Sequence, residues 1–130
     1  MNQPTNNSPG TSERTSVLIV EDDPIAANSL RYLLEHYGYR ALVASGVKQA
    51  IQLLDTEPQI ILLDLNLPDG DGVAVMQALR NRKMTTRVAV VSAVIDHDRL
   101  QRIRSLKPEM VLSKPLNFLS LLAELRSPAA

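Results

Sequence analysis

The sequence predicts an α/β domain built on a doubly wound, five-stranded parallel sheet, (βα)5, and three observations carry that expectation. Five short apolar runs recur along the chain, each is followed by apolar residues at helical spacing, and capping or stop residues stand between them. Continuous apolar runs suit strands buried on both faces of a parallel sheet. Strands alternating with helices in series require right-handed crossovers, which place helices on both sides of that sheet. A chain of 130 residues has room for one such core.

Residues 1–16 are rich in Asn, Ser, Thr, Pro and Gly with only Met1 as a bulky apolar side chain, a composition that predicts a disordered tail. The domain is expected over 17–127, with 128–130 as a short C-terminal tail. The first run, Val17-Leu18-Ile19-Val20, leads to a helix that Asp23 can cap, with Pro24 at its first position, apolar residues at Ala26, Leu30, Leu33, Leu34 and Tyr37, and Gly38 as a left-handed stop. Ala41-Leu42-Val43-Ala44 precedes a helix that Ser45 can cap, its Val47, Ala50, Ile51 and Leu54 forming one stripe, with Pro58 just beyond. Ile60-Ile61-Leu62-Leu63 precedes Val73, Met76 and Leu79, and Val88-Ala89-Val90-Val91 precedes Leu100, Ile103 and Leu106. Met110-Val111-Leu112 precedes Phe118, Leu121, Leu122 and Leu125, a helix Asn117 can cap.

Composition excludes several classes of function. Apolar residues make up 45% and charged residues 22%, ordinary for a soluble domain. There is no Cys, so neither a disulfide framework nor a thiolate site is available. No apolar run approaches the ~20 residues that span a bilayer, so no membrane partner is expected and the cytoplasm is the expected location. The net charge is zero but unevenly spread: residues 1–79 carry ten acids and four bases, and residues 80–130 carry four acids and ten bases. A balanced total without an aromatic-rich basic stripe argues against direct nucleic-acid binding.

Sites in open α/β sheets form at the carboxyl ends of strands. Those positions here are polar: Glu21-Asp22-Asp23 after the first run, Asp64 after the third, Ser92 after the fourth and Lys114-Pro115 after the fifth. Because the first and third strands are neighbours in a doubly wound sheet, Glu21, Asp22 and Asp64 should converge. Two like charges ~4 Å apart repel by about 4 kcal/mol at an effective dielectric of 20, so such a cluster must protonate, tolerate strain or bind a cation, and a cation is the economical answer. An all-oxygen donor set selects a hard ion, Mg²⁺ or Mn²⁺. Lys114 adds a positive charge and Ser92 a hydroxyl donor, the parts needed to hold a phosphoryl group against a carboxylate nucleophile. Asp23 reads as a helix cap outside this site, and His36 and His97 as surface residues. The stretch Asp64 to Gly72 fails as a calcium loop, because Asp69 stands where Gly is required and Val75 where the bidentate Glu belongs. It reads instead as a loop turned by Pro68 and Gly70, with Asp71 capping the third helix.

From about Val17 to Arg126 the chain resembles the CheY-like receiver domains of two-component response regulators. The resemblance rests on Val20-Glu21-Asp22-Asp23-Pro24, Asp64-Leu65-Asn66-Leu67-Pro68 through Asp71-Gly72, Val91-Ser92-Ala93 and Ser113-Lys114-Pro115. It implies the flavodoxin-like strand order 2-1-3-4-5, Asp64 as phosphoacceptor, and Mg²⁺ bound directly by Asp22, chiefly through water by Glu21, and also by Asp64 and the Asn66 backbone carbonyl. Ser92 would bond the phosphoryl group, Lys114 would pair with its oxygens, Ala93 would leave room for access, and the Lys114-Pro115 peptide would be cis. The implied function is a phosphorylation-controlled switch, more substrate than enzyme. Its implied partners are a sensor histidine kinase or phosphotransfer protein, and a downstream effector or output domain. Helix four, strand five and helix five are expected to form the partner or dimer face, because Arg99, Arg102 and Arg104 lie on or near it beside Asp96, Asp98 and Glu124, so that paired charges across a two-fold axis are feasible.

The sequence departs from the family pattern at Val111, where many receivers carry an aromatic or His three residues before the lysine, and in the bulkier Arg104–Glu109 segment. Two other functions compete. An aspartate-nucleophile phosphatase would need a second acid two residues after its nucleophile, where Asn66 stands, and a cap domain. A scaffold working without phosphorylation would have no use for the pocket.

Overall fold

The computed structural model describes residues 14–93 and 95–126. Its five-stranded sheet comprises β1 (Ser16–Val20), β2 (Arg40–Ala44), β3 (Ile60–Asp64), β4 (Arg87–Ser92) and β5 (Met110–Ser113). All pairings are parallel and the order is 2-1-3-4-5, as expected. The helices are α1 (Pro24–His36), α2 (Val47–Leu53), α3 (Val73–Asn81), α4 (His97–Ser105) and α5 (Phe118–Arg126).

Side chains alternate across each strand, so the sheet divides the core in two. Leu18, Val20, Ile61, Leu63, Val88 and Val90 face Ala50 of α2, Met76 and Leu79 of α3 and Ile103 of α4. Val17, Ile19, Ile60, Leu62 and Ala89 face Leu34 of α1 and Leu121, Leu122 and Leu125 of α5. Thus β3 is buried along its whole length and β1 and β4 nearly so, while edge strand β2 leaves Leu42 exposed.

The capping signals act as read. Asp23 accepts the Ile25 N–H at 3.0 Å, Asn117 accepts the Ser120 N–H at 3.0 Å, and Gly38 takes φ +95° after α1. One cap differs. No side chain of α2's own cap residue, Gly46, is available, and Ser45 instead bonds Gln49 through both its N–H and its hydroxyl. The N-terminus of α2 is capped from a distance by Asp69, whose carboxylate accepts the Val47 N–H at 2.7 Å and the Lys48 N–H at 3.0 Å. The loop after β3 reaches that far because Asn66–Leu67 and Gly70–Asp71 pair as a two-residue antiparallel hairpin. Asp71 accepts the Val73 N–H at 3.0 Å, the expected cap of α3.

The strands run farther than the apolar runs suggest. Ser16 belongs to β1, one residue before the expected domain start, and bonds Gln59 through its N–H and its hydroxyl oxygen. At the other end, Asp64 and Ser92 lie inside their strands instead of in the loops beyond. The remainder of the expected N-terminal tail, 1–13, and the C-terminal tail 128–130 lie outside the described residues.

Candidate functional site

The carboxyl ends of β1, β3, β4 and β5 lie side by side at one end of the sheet. Asp64 is the last residue of β3 and is registered against Val91, which anchors its backbone in the centre of the sheet. Its Oδ1 accepts the Asn66 N–H at 3.0 Å and its Oδ2 accepts from Lys114 Nζ at 3.0 Å. Glu21 follows β1, donates its N–H to the Ala44 carbonyl at 3.0 Å, and accepts from Asp23 N–H at 3.1 Å and Lys114 Nζ at 3.2 Å. Glu21 and Asp64 are buried and Asp22 is exposed at the rim. Carboxylate oxygens of Glu21, Asp22 and Asp64 lie within 4.8 Å of one another.

Lys114 is placed by the sheet: its N–H donates to the Ser92 carbonyl at 3.0 Å, continuing the β4–β5 ladder, and the Lys114-Pro115 peptide is cis as expected. Burial pulls the Lys114 ammonium down, but the hydrogen bonds to Asp64 and Glu21 and the charges of both outweigh it, so the pKa stands above its ordinary value. Lys114 is therefore a permanent cation at neutral pH. One ammonium against three carboxylates leaves the cluster under-neutralised, and its ligand atoms are oxygens alone. A hard divalent cation fits this donor set.

Ser92 is 2% exposed and is registered against Ser113, one step beyond the level of Asp64. Asn66 is exposed on the hairpin. Every expected site residue therefore lies at or just beyond the same end of the sheet. Val111 is half-buried against the α2–α3–α4 core.

Two residues shape the site without having been read as doing so. The first is Gly72, whose N–H donates to the Leu65 carbonyl at 2.9 Å. A Cβ there would stand 2.5 Å from the Asp64 carbonyl oxygen and 2.9 Å from Leu65 Cα, so only glycine lets α3 begin against the backbone of the loop. The second is Arg99. Expected on a dimer face, it turns toward the loop after β3 and donates to Asn66 Oδ1 at 3.0 Å, the Leu65 carbonyl at 3.0 Å and Asp71 Oδ1 at 2.8 Å. The reason is the start of α4: Asp96 accepts the Arg99 N–H at 2.8 Å, and a helix begun there aims its first turn at the hairpin. The acid-rich loop, lacking basic neighbours in sequence, was the available signal that a remote cation would serve it. Burial raises the Asp71 pKa, but Arg99, the Val73 N–H and Arg102 outweigh it and hold the carboxyl below its ordinary range.

A parallel five-stranded sheet with an acidic pocket, a serine and a lysine at its carboxyl end defines a phosphoacceptor switch of the doubly wound class. The sequence pattern of the response regulator receiver domain matches residues 17–126, and the chain belongs to that family. It is 32% identical over 111 residues to the transcriptional regulatory protein CpxR of Escherichia coli, covering 85% of this chain and 47% of CpxR. The chain thus spans about half the length of the curated relatives it matches. Among solved structures, a sensor protein from Polaromonas sp. JS666 superposes with a TM-score of 0.77 at 34% identity, covering 86% of this chain and 93% of that one. A Burkholderia pseudomallei response regulator, solved with a phosphorylated aspartic acid, calcium ion and citrate, gives 0.79 at 25% identity, covering 88% and 68%. The domain is regulatory, a phosphorylation-controlled module of two-component signalling. Among the described residues, no helix is long and apolar enough to cross a membrane.

Proposed function

We propose that Asp64 is the residue phosphorylated, with Glu21, Asp22, Asp64 and the Asn66 carbonyl holding Mg²⁺ and with Ser92 and Lys114 receiving the phosphoryl oxygens. The observation that carries this reading is the under-neutralised carboxylate cluster around a single lysine at the end of the sheet. A carboxylate oxygen of Asp64 attacks phosphorus, a P–O bond forms as the donor's P–N or P–O bond breaks, and the leaving group departs with the electron pair. The bound cation, when present, offsets charge on the transferring group and on the acids. Lys114 is already aimed at the nucleophile and Asn66 N–H orients its other oxygen. Hydrolysis of the acyl phosphate at the same pocket resets the switch, so the domain catalyses only its own phosphorylation and dephosphorylation.

The donor is a sensor histidine kinase or phosphotransfer protein in the cytoplasm, and the receiver of the signal is an output domain or separate effector. A homodimer through α4, β5 and α5 would use Arg102, Arg104, Asp98 and Glu124, with Arg99 already committed inside the molecule. Charge reversal at Arg102 that left self-association of the phosphorylated chain unchanged would remove that interface.

The test of the site is labelling by acetyl phosphate with Mg²⁺, read by intact mass. One base-labile phosphoryl group is expected. It should be absent in Asp64→Asn, slow in Asp22→Ala or with a chelator, and retained in part in Lys114→Ala. Labelling that persists in Asp64→Asn, or runs at full rate without divalent metal, refutes the assignment.

A further inference from the structure

The loop that leaves the phosphoacceptor strand is fastened on both flanks. On one side Asp69 caps α2, and on the other Arg99 of α4 spans three acceptors. The Arg99 side chain is only 17% exposed, and its Nε is buried with no hydrogen-bond partner among the described residues. Leaving a buried donor unsatisfied is costly, and ordering so long a side chain adds to that cost, so the three contacts must offset both. A lysine would supply the charge for Asp71 but not the planar fork.

What the fork grips is specific. Leu65 and Asn66 are the two residues directly after Asp64, and Arg99 holds the carbonyl of the first and the side-chain oxygen of the second. The Leu65–Asn66 peptide is thereby pinned on both sides, while Asn66 N–H is held by Asp64 Oδ1. The following peptide, which carries the Asn66 carbonyl, lies in the pairing of Asn66–Leu67 with Gly70–Asp71, so with the residue held at its side chain, at its N–H and in that pairing, the carbonyl leaves a loop already ordered before any cation arrives.

We infer that Arg99 is a positioning residue for the metal site, aiming the Asn66 carbonyl and coupling cation binding to the seating of the first turn of α4. This rests on the assignment of Asn66 as a metal ligand made above. Coupling between two sites is reciprocal: a cation that draws on the Asn66 carbonyl favours the loop geometry in which Arg99 is seated, and a seated Arg99 favours the cation. Residues that orient metal ligands from outside the coordination shell change metal affinity by about 10- to 100-fold when removed.

The experiment is a Mg²⁺ titration of the full chain followed by backbone amide NMR. Arg99→Gln should weaken Mg²⁺ by about tenfold, the low end of that range because a backbone ligand stays in place. Arg99→Lys should recover little. Asn66→Ala, which keeps the backbone carbonyl and loses the side-chain acceptor, should weaken binding similarly, and Arg99→Gln combined with Asn66→Ala should be no weaker than either alone. Amides of His97 to Leu100 should shift with Mg²⁺ in the parent chain and stay still in Arg99→Gln. A role in stability alone would leave Mg²⁺ affinity untouched. Affinity within twofold of the parent in both Arg99 variants, additive losses in the double variant, or an undiminished α4 response overturns the inference. Asp22→Ala separates the two claims: if it weakens Mg²⁺ while the Arg99 variants do not, the site stands and the coupling falls. A parent chain that binds no Mg²⁺ overturns both.

Discussion

The two ends of the sheet treat charge in opposite ways. At the amino end a cleft of about 800 Å³ opens between the α2–β3 and α3–β4 loops, with Asp55, Glu57, Arg82, Lys83 and Arg87 on its walls. Charge there is matched: Arg82 pairs with Asp55 at 2.9 Å, and Arg87 pairs with Glu109 while also donating to the Leu125 carbonyl at 3.0 Å. The Thr86 hydroxyl donates to the Pro58 carbonyl at 2.8 Å, tying the two loops together. At the carboxyl end three carboxylates cluster, and one lysine pairs with two of them, Glu21 and Asp64. The open cleft would draw a search for function to the amino end, and charge balance sends it to the carboxyl end. Matched pairs close loops and anchor α5, whereas an unmatched cluster is held at a cost that a bound cation relieves.

Within the loop after β3, the most disruptive change outside the ionisable groups should be Gly72→Ala. Its Cβ would meet backbone atoms of Asp64 and Leu65, which cannot swing away as a side chain could. Overpacking of this kind costs about 1–3 kcal/mol, and here it also moves the nucleophile's own loop. Urea denaturation should show the loss, and acetyl phosphate labelling should slow. Parent-like stability and labelling together would mean that the loop is more pliable than this contact implies.

Acid should loosen the same loop. Hydrogen bonds from the Lys48 and Val47 N–H groups depress Asp69; at Asp71, burial pushes up but Arg99, the Val73 N–H and Arg102 prevail. A carboxyl whose pKa is lower folded than unfolded stabilises fully above the unfolded value and loses that contribution as pH falls through the folded value. The loss should therefore begin near pH ~4 and continue below it. Thermal midpoints of Asp69→Asn and Asp71→Asn should fall less steeply than the parent's across that window, and parallel curves would place the acid sensitivity elsewhere.

Much of this was written in the sequence. Five apolar runs gave the strands their number and parallel character, Asp23, Gly38 and Asn117 bounded helices locally, and acids at strand ends announced the pocket. Those signals are short-range or follow from one rule about open sheets. The features that escaped are long-range. Asp69 caps a helix 21 and 22 residues earlier, which becomes visible only once the hairpin is folded. Gly72 looks like any loop glycine until the backbone of Asp64 is beside it. Arg99 sits in a helix with two further arginines, where charge alone suggests solvent, and its inward turn depends on where Asp96 starts α4.

The smallest effects give the sharpest test of the contrast between the two ends, because they differ in sign. Arg82→Gln removes an exposed pair, its side chains 40% and 82% accessible, and such pairs are worth about 0–1 kcal/mol. It should lower stability slightly and leave Mg²⁺ binding and labelling unchanged. Asp22→Asn removes one of three clustered carboxylates, and relief of repulsion at that spacing in a water-like dielectric is worth roughly 0.5–1 kcal/mol. Without divalent cation it should raise stability; with saturating Mg²⁺ the ranking should reverse, because the parent gains binding free energy that the variant has lost. Urea midpoints of the two variants and the parent, measured with chelator and with Mg²⁺, decide the matter. If Asp22→Asn is destabilising in chelator, the carboxyl-end acids are already compensated as well as those at the amino end, and the argument that the pocket is held open for a cation fails.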